Sequence, residues 1–190
     1  MTRNRDETRQ RILDAVLDLV AEEGFAALGV NAVARRAGAD KQLIYRYFGG
    51  LDGLMAAAGA EVAERMATAL ATAPVAAATY AGLIEGLAAA LLRHLMQDRL
   101  YRQLRLMEAS APSPATEAFQ KARGAALAAW LADRRGSLTP PAALDAAAIN
   151  AVIIAAVEGI AILGPAGMPA EEAETRLLPV LQSMLRTAYA

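Results

Sequence analysis

The stretch GADKQLIYRYFGG, Gly38 to Gly50, places Lys41, Gln42, Tyr45, Arg46 and Tyr47 within one short run. Two cations, an amide and two phenols are donors suited to phosphate oxygens and to the edges of bases. In a helix, Ile44 and Phe48 lie four apart on one face and turn inward. Lys41, Gln42, Tyr45 and Arg46 are then left facing out.

The elements that must hold this segment are legible on its N-terminal side. From Thr8 to Glu23, Ile12, Ala15, Val16, Leu19 and Val20 recur at the spacing of a helix with one buried face, and Gly24 ends it. Asn31 to Ala37 forms a second helix with Val33, Ala34 and Ala37 on one side, broken by Gly38-Ala39. Asp40 supplies a side-chain acceptor for the free amides of a third helix starting at Lys41. Two helices joined by a tight glycine turn, the second short and rich in exposed donors, form a helix-turn-helix, whose second helix enters the DNA major groove. From Arg35 to Phe48 four cations face one anion, Asp40, whereas residues 1–50 hold eight cations against seven anions. The positive charge is therefore a local edge.

Residues 1–54 resemble the N-terminal domain of the TetR family of transcriptional regulators. RILDAVLDLVAEEGFAALGV is similar to its first helix and following turn, and VARRAGADKQLIYRYF to its signature IAxxAGVSxxxLYxYF. The resemblance implies that Ile44 and Phe48 are core, that Tyr45 and Tyr47 give hydroxyls to backbone phosphates, and that Lys41, Gln42 and Leu43 sit at base edges. Gln42 would pair with adenine and Leu43 would touch a thymine methyl. Packing on an amphipathic surface is the competing role for either tyrosine. Two positions depart from the family: Gly29, Val30 and Asn31 stand where a capping threonine is usual, and Leu51 where a lysine opens the fourth helix. DNA affinity would then rest on Arg3, Arg5, Arg9 and Arg46, with Arg3 and Arg5 expected in a solvated tail.

The 190 residues suffice for a sizeable core, and with 56% hydrophobic but only 5% aromatic residues that core is built from Ala, Leu, Val and Ile. Alternating β-branched runs and hairpin turns are nearly absent, so the fold class is all-α. Further helices are expected at Leu51–Ala73, Ala77–Met96, Arg99–Ala109, Ala115–Arg135, Pro141–Gly164 and Ala170–Tyr189, separated by SAPSP, RRGSLTPP and GPAGMP. The division is a helix-turn-helix domain at 1–50 and a larger helical body at 51–190. The apolar run AVIIAAV is far short of the roughly 20 residues that span a bilayer, so no membrane partner is expected. The polar N-terminus has no signal core, and the absence of cysteine suits a reducing cytoplasm.

Catalysis is not expected. Ser110, Ser113, Ser137 and Ser183 lie in breaker loops or a terminal helix without a nucleophile motif, no glycine-rich phosphate loop occurs, and His94 is the only histidine. No metal and no cofactor is expected from such a set.

For the body, the resemblance implies a small-molecule effector and a homodimer through the last two helices. Pro141 to Gly164 is apolar on nearly every side and must be buried all round, most simply by a second copy. Ala146, Ala147, Ala151 and Ala155 would permit close approach. Leu177, Leu178, Leu181, Met184 and Leu185 would form the partner stripe, with Pro179 kinking the last helix. Candidate effector contacts are Tyr80, Leu87, His94, Tyr101, Met107, Arg123, Trp130 and Glu158, a set suited to a hydrophobic or amphipathic molecule. Glu158, in line with Asn150 and Ile154, needs a partner: an arginine across a dimer interface or a polar group of an effector. The expected function is a ligand-responsive repressor of double-stranded DNA with a palindromic operator. The alternative is a helical ligand-binding adaptor whose helix-turn-helix is degenerate.

Overall fold

A computed structural model describes residues 2–24, 27–164 and 169–190 of the chain. The described residues form helices and turns without a strand. In chain order the helices are α1 (Thr2–Glu23), α2 (Val30–Ala37), α3 (Lys41–Phe48), α4 (Leu51–Thr72), α5 (Tyr80–Gln97), α6 (Arg99–Ser110), α7 (Pro114–Arg135) and α8 (Ala146–Ile162). A last helix, α9, comprises Ala170–Glu172, a π-helical turn at Ala173–Leu177 and Leu178–Ala188. They build two compact units, Met1–Glu64 with Arg99–Gly124, and Arg65–Asp98 with Ala125–Ala190.

The first unit is organised around Ile12, Val16, Val33, Ile44, Leu54, Tyr101 and Phe119, all fully buried or nearly so. Tyr101 and Phe119 meet edge to face with ring centroids 4.9 Å apart, the arrangement their quadrupoles favour. At the start of α7, Ser113 and Thr116 cap each other: Thr116 Oγ1 accepts from the Ser113 amide at 2.8 Å, and Ser113 Oγ from the Thr116 amide at 3.3 Å. Pro114, which has no amide to satisfy, fits the first helical position behind that cap, so α7 begins one residue before the sequence periodicity suggests.

In the second unit the apolar face of α5, with Leu83, Ile84, Leu87 and Leu91, packs on Ile153 and Val157 of α8. Trp130 donates its indole N–H to the Leu70 carbonyl at 3.0 Å. α9 is tied to α5 by Arg186 to Glu85 at 2.6 Å and Arg93 to Glu174 at 3.2 Å.

Three expectations change here. The expected helix from Pro141 starts at Ala146, because the Asp145 carboxylate accepts from the Ala148 amide at 3.0 Å and caps the chain there. Pro179 follows directly on the π-helical turn at Ala173–Leu177, inside the continuous run of α9, so the irregularity of this helix lies in the turn before the proline. Finally, α8 is not buried all round within the chain: Ala147, Ala148, Ala151, Val152 and Ala155 are exposed. The proposed partner stripe of α9 divides likewise: Leu178, Leu181 and Leu185 face inward, Leu177 is half-buried and Met184 faces out. Of the expected separator GPAGMP, residues 165–168 lie outside the described residues.

Candidate nucleic-acid interface

The site is set up by the turn between α2 and α3. Gly38 adopts the left-handed conformation (φ 57°, ψ 39°), which a side chain would penalise. Its amide and that of Ala39 then donate back to the carbonyls of Arg35 at 3.3 Å and Ala34 at 3.0 Å, closing α2. Two residues on, Asp40 Oδ1 accepts from the Gln42 amide at 2.8 Å and opens α3. The amides of Gly38, Ala39, Gln42 and Leu43 are thereby bonded across the junction.

Ile44, fully buried, pins α3 to the unit. Lys41, Gln42, Tyr45 and Arg46 are exposed, Tyr45 by 58%, whereas Leu43 and Tyr47 are half-buried. Phe48, expected in the core, lies at its edge and is only half-buried, with the Arg9 guanidinium over its ring, 4.9 Å from the centroid. The far end of α3 is closed by α4: a Cβ on Gly53 would stand 1.8 Å from the Phe48 carbonyl oxygen, so only glycine admits this approach.

Arg36 belongs to the fold rather than to the free charge of this face. Its guanidinium grips Glu22 of α1, Nη1 to Oε2 at 2.8 Å with Nη2 on the other oxygen, and Asp18 lies 3.9 Å away. The hydrogen bond to Arg36 holds the Glu22 carboxyl below its ordinary range. Of the four cations counted between Arg35 and Phe48, Arg35, Lys41 and Arg46 remain for a partner.

The effector candidates fall apart into separate arrangements. Tyr101, Met107 and Arg123 belong to the first unit, where Arg123 lies over the Phe119 ring and 3.5 Å from Glu108. Tyr80, Leu87, His94, Trp130 and Glu158 belong to the second. There Trp130 is bonded to Leu70, His94 Nε2 stands 3.5 Å from Asp98, and Glu158 is 4% exposed. Burial lowers the His94 pKa, and the Asp98 charge opposes that shift. Leu87 alone of the eight lines the seam between α5 and α8, with Ile84, Ala88, Leu91, Asn150, Ile153, Ile154 and Val157. That seam holds about 10 Å³ of space, at most one water.

Sequence reasoning missed the group that closes this seam. Asn150 donates to the Tyr80 hydroxyl at 2.8 Å and accepts from the Tyr189 hydroxyl at 2.8 Å, while the two rings meet edge to face at 5.4 Å. A tyrosine directly after the last helical residue was the available signal. Among the described residues no cluster of three or more His, Cys, Asp or Glu side chains could hold a metal, and no helix is long and apolar enough to cross a membrane.

Residues 12–58 match the family model described as bacterial regulatory proteins, tetR family. The N-terminal domain is therefore similar to the tetR-family domain. Over nearly its whole length the chain has the fold of solved TetR-family regulators. A transcriptional regulator from Rhodococcus sp. Rha1 superposes with a TM-score of 0.71 at 22% identity, covering 96% of this chain and 98% of that one. A TetR-family regulator from Marinobacter aquaeolei VT8 does so with a TM-score of 0.62 at 19% identity, over 99% and 98%. The multidrug binding protein EbrR, complexed with imidazole, does so with a TM-score of 0.66 at 24% identity, over 96% and 94%. No curated protein matches the sequence.

The two departures from the TetR signature are visible in the geometry. Gly29 precedes α2 in an extended conformation and offers no side-chain cap, and Leu51, half-buried, opens α4 without a charge.

Proposed function

We propose that this protein is a dimeric, ligand-responsive transcriptional repressor that releases a palindromic operator when a small hydrophobic or amphipathic effector binds. Residues 1–50 are the DNA-binding domain and 51–190 the effector-binding and dimerisation body, acting in the cytoplasm. The observation that carries this reading is α3: a capped helix behind a glycine turn, held from below by Ile44, with Lys41, Gln42, Tyr45 and Arg46 all exposed. On DNA, Lys41, Gln42 and Leu43 meet base edges, while Arg9, Tyr45, Arg46 and Tyr47 meet phosphates.

Dimerisation is supported by the apolar side chains that α8 and α9 leave exposed, Val152 at 67%, Val180 at 57% and Met184 at 63%. A second copy on that face sets two α3 helices about one DNA turn apart. The apolar seam between α5 and α8, whose lining carries a single polar side chain, Asn150, matches such an effector in chemistry and must open to admit it. That EbrR binds multiple drugs fits an apolar site of this kind. A ligand preferring the non-binding spacing weakens DNA affinity, and DNA weakens the ligand's by the same factor.

Bare Gly29 and uncharged Leu51 favour a second reading, a ligand-binding adaptor with a degenerate helix-turn-helix. Mobility-shift titration against DNA from the protein's own upstream region, repeated across salt concentrations, separates the two. A sequence-preferring, salt-sensitive complex lost in Tyr45→Ala and Arg46→Ala supports the regulator; no such complex supports the adaptor.

A further inference from the structure

α1 begins at Thr2, so Arg5 stands in a helix that runs past α3 and not in a loose tail. The side chain of Arg3 lies outside the described residues. Arg5 and Arg9, one turn apart on α1, lie against successive rings of α3: Arg5 is 5.7 Å from the centroid of Tyr47, and Arg9 4.9 Å from that of Phe48. A second guanidinium, Arg46, lies 4.8 Å from the same Tyr47 ring and donates from Nη2 to its hydroxyl oxygen at 2.7 Å. Between the two helices runs an open groove of about 640 Å³ lined by Asn4, Arg5, Thr8, Leu43, Arg46 and Tyr47, with no carboxylate in its lining.

The donors of this groove are specific. The Thr8 hydroxyl is spent on the Asn4 carbonyl at 2.8 Å. The Tyr47 oxygen already accepts from Arg46, so its own proton is the one left to give, and a donor whose oxygen is polarised by a cation gives it more strongly. Stacking on the ring restricts both guanidiniums before any ligand arrives, which lowers the ordering cost of binding.

We propose that Arg5, Arg46 and the Tyr47 hydroxyl form a seat for one DNA backbone phosphate, which replaces the anchors missing at Gly29 and Leu51. The proposal rests on the regulator reading above and adds Arg5, which that reading leaves out. Arg5 binds the phosphate, reads no base, and anchors α1 to the same stretch of backbone that α3 enters.

The test is titration of a duplex selected from a random-sequence pool, and of a scrambled duplex, across a range of salt. Arg5→Ala is expected to weaken both complexes by the same factor, about tenfold at low salt, and to lower the salt slope by about one unit. Arg5→Lys keeps the slope. Tyr47→Phe weakens binding with the slope unchanged, and Arg5→Ala costs less in that background because the two groups share one phosphate. Arg135→Ala, at the end of α7, changes nothing. Helicity and melting temperature check each variant, with Arg5→Gln retaining the stem should Arg5→Ala unfold. A wild-type slope in a folded Arg5→Ala or Arg5→Gln protein overturns the seat alone, as does a loss confined to one sequence. A wild-type protein that binds neither duplex overturns both the seat and the regulator reading.

Discussion

Tyr189, the penultimate residue, donates its hydroxyl to Asn150 Oδ1 at 2.8 Å and so ties the end of the chain to α8. Asn150 passes the link on to Tyr80 of α5, so three helices meet in one polar knot at the rim of an apolar seam. Tyr189→Phe keeps the ring but strands the Asn150 carbonyl oxygen, at an expected cost of about 1–3 kcal/mol in denaturant unfolding at neutral pH. Burial raises the Tyr189 pKa from 10 to about 12. The neutral phenol is therefore the form the fold favours: its contribution is complete below pH 10 and is lost as pH rises toward about 12. The stability gap between wild type and Tyr189→Phe should accordingly be constant to about pH 10 and narrow above it. A gap independent of alkaline pH would contradict this account.

The exposed face of α8 and α9 gives the second prediction. Val152 and Met184 are 67% and 63% exposed in the single chain, so replacing them with Glu removes little packing within it. Val152→Glu combined with Met184→Glu should leave helicity near wild type while light scattering reports a monomer, because each copy would otherwise bury charge against an apolar face. The monomer should bind a palindromic duplex far more weakly than the wild type. A dimer that survives both substitutions would place the interface elsewhere.

Much of this was legible because local chemistry decided it. Gly38 and Asp40 specify the turn through backbone conformation and one capping bond, and Ile44 is the residue that the helical period turns inward. What escaped depended on partners distant in sequence. Phe48 reads as core but is half-buried beneath Arg9, and Arg36 reads as a free cation until Glu22 claims it. Composition could not reveal that α8 leaves one apolar side open, since periodicity is silent where every face is apolar. The effector candidates were the weakest part for the same reason: inward-facing side chains at helical spacing lie in two units, and only Leu87 reaches the seam.

Gln42 carries the third prediction. Its side chain is exposed in the first turn of α3, and its amide is held by Asp40, so the side-chain carboxamide projects from a fixed backbone. A paired contact to adenine is worth about 1–3 kcal/mol of discrimination. Gln42→Ala should therefore relax base preference at one position of each half-site in a selection experiment, leaving affinity for scrambled DNA and the salt slope unchanged. Equal losses on all sequences would mean that Gln42 touches the backbone instead.

The last prediction concerns the clamp between α1 and α2. The Glu22 carboxyl has its pKa lowered from 4.5, chiefly by the hydrogen bond from Arg36. Its contribution to stability is therefore present above pH 4.5 and is lost as pH falls through the depressed value in the folded protein. Both side chains reach into solvent, so the effect is modest at neutral pH and weakens with added salt. Glu22→Gln should lower the melting temperature slightly at pH 7, and the difference from wild type should vanish in acid. The same substitution removes one of the carboxylates that neutralise Arg36, leaving Asp18 at 3.9 Å. DNA affinity at low salt should consequently rise, not fall, even though the fold is less stable. Mobility-shift titration at two salt concentrations, set beside the melting curves, distinguishes this from a loss of folded protein. Reduced binding in fully folded Glu22→Gln would mean that Arg36 must be held by Glu22 for α3 to be presented to DNA.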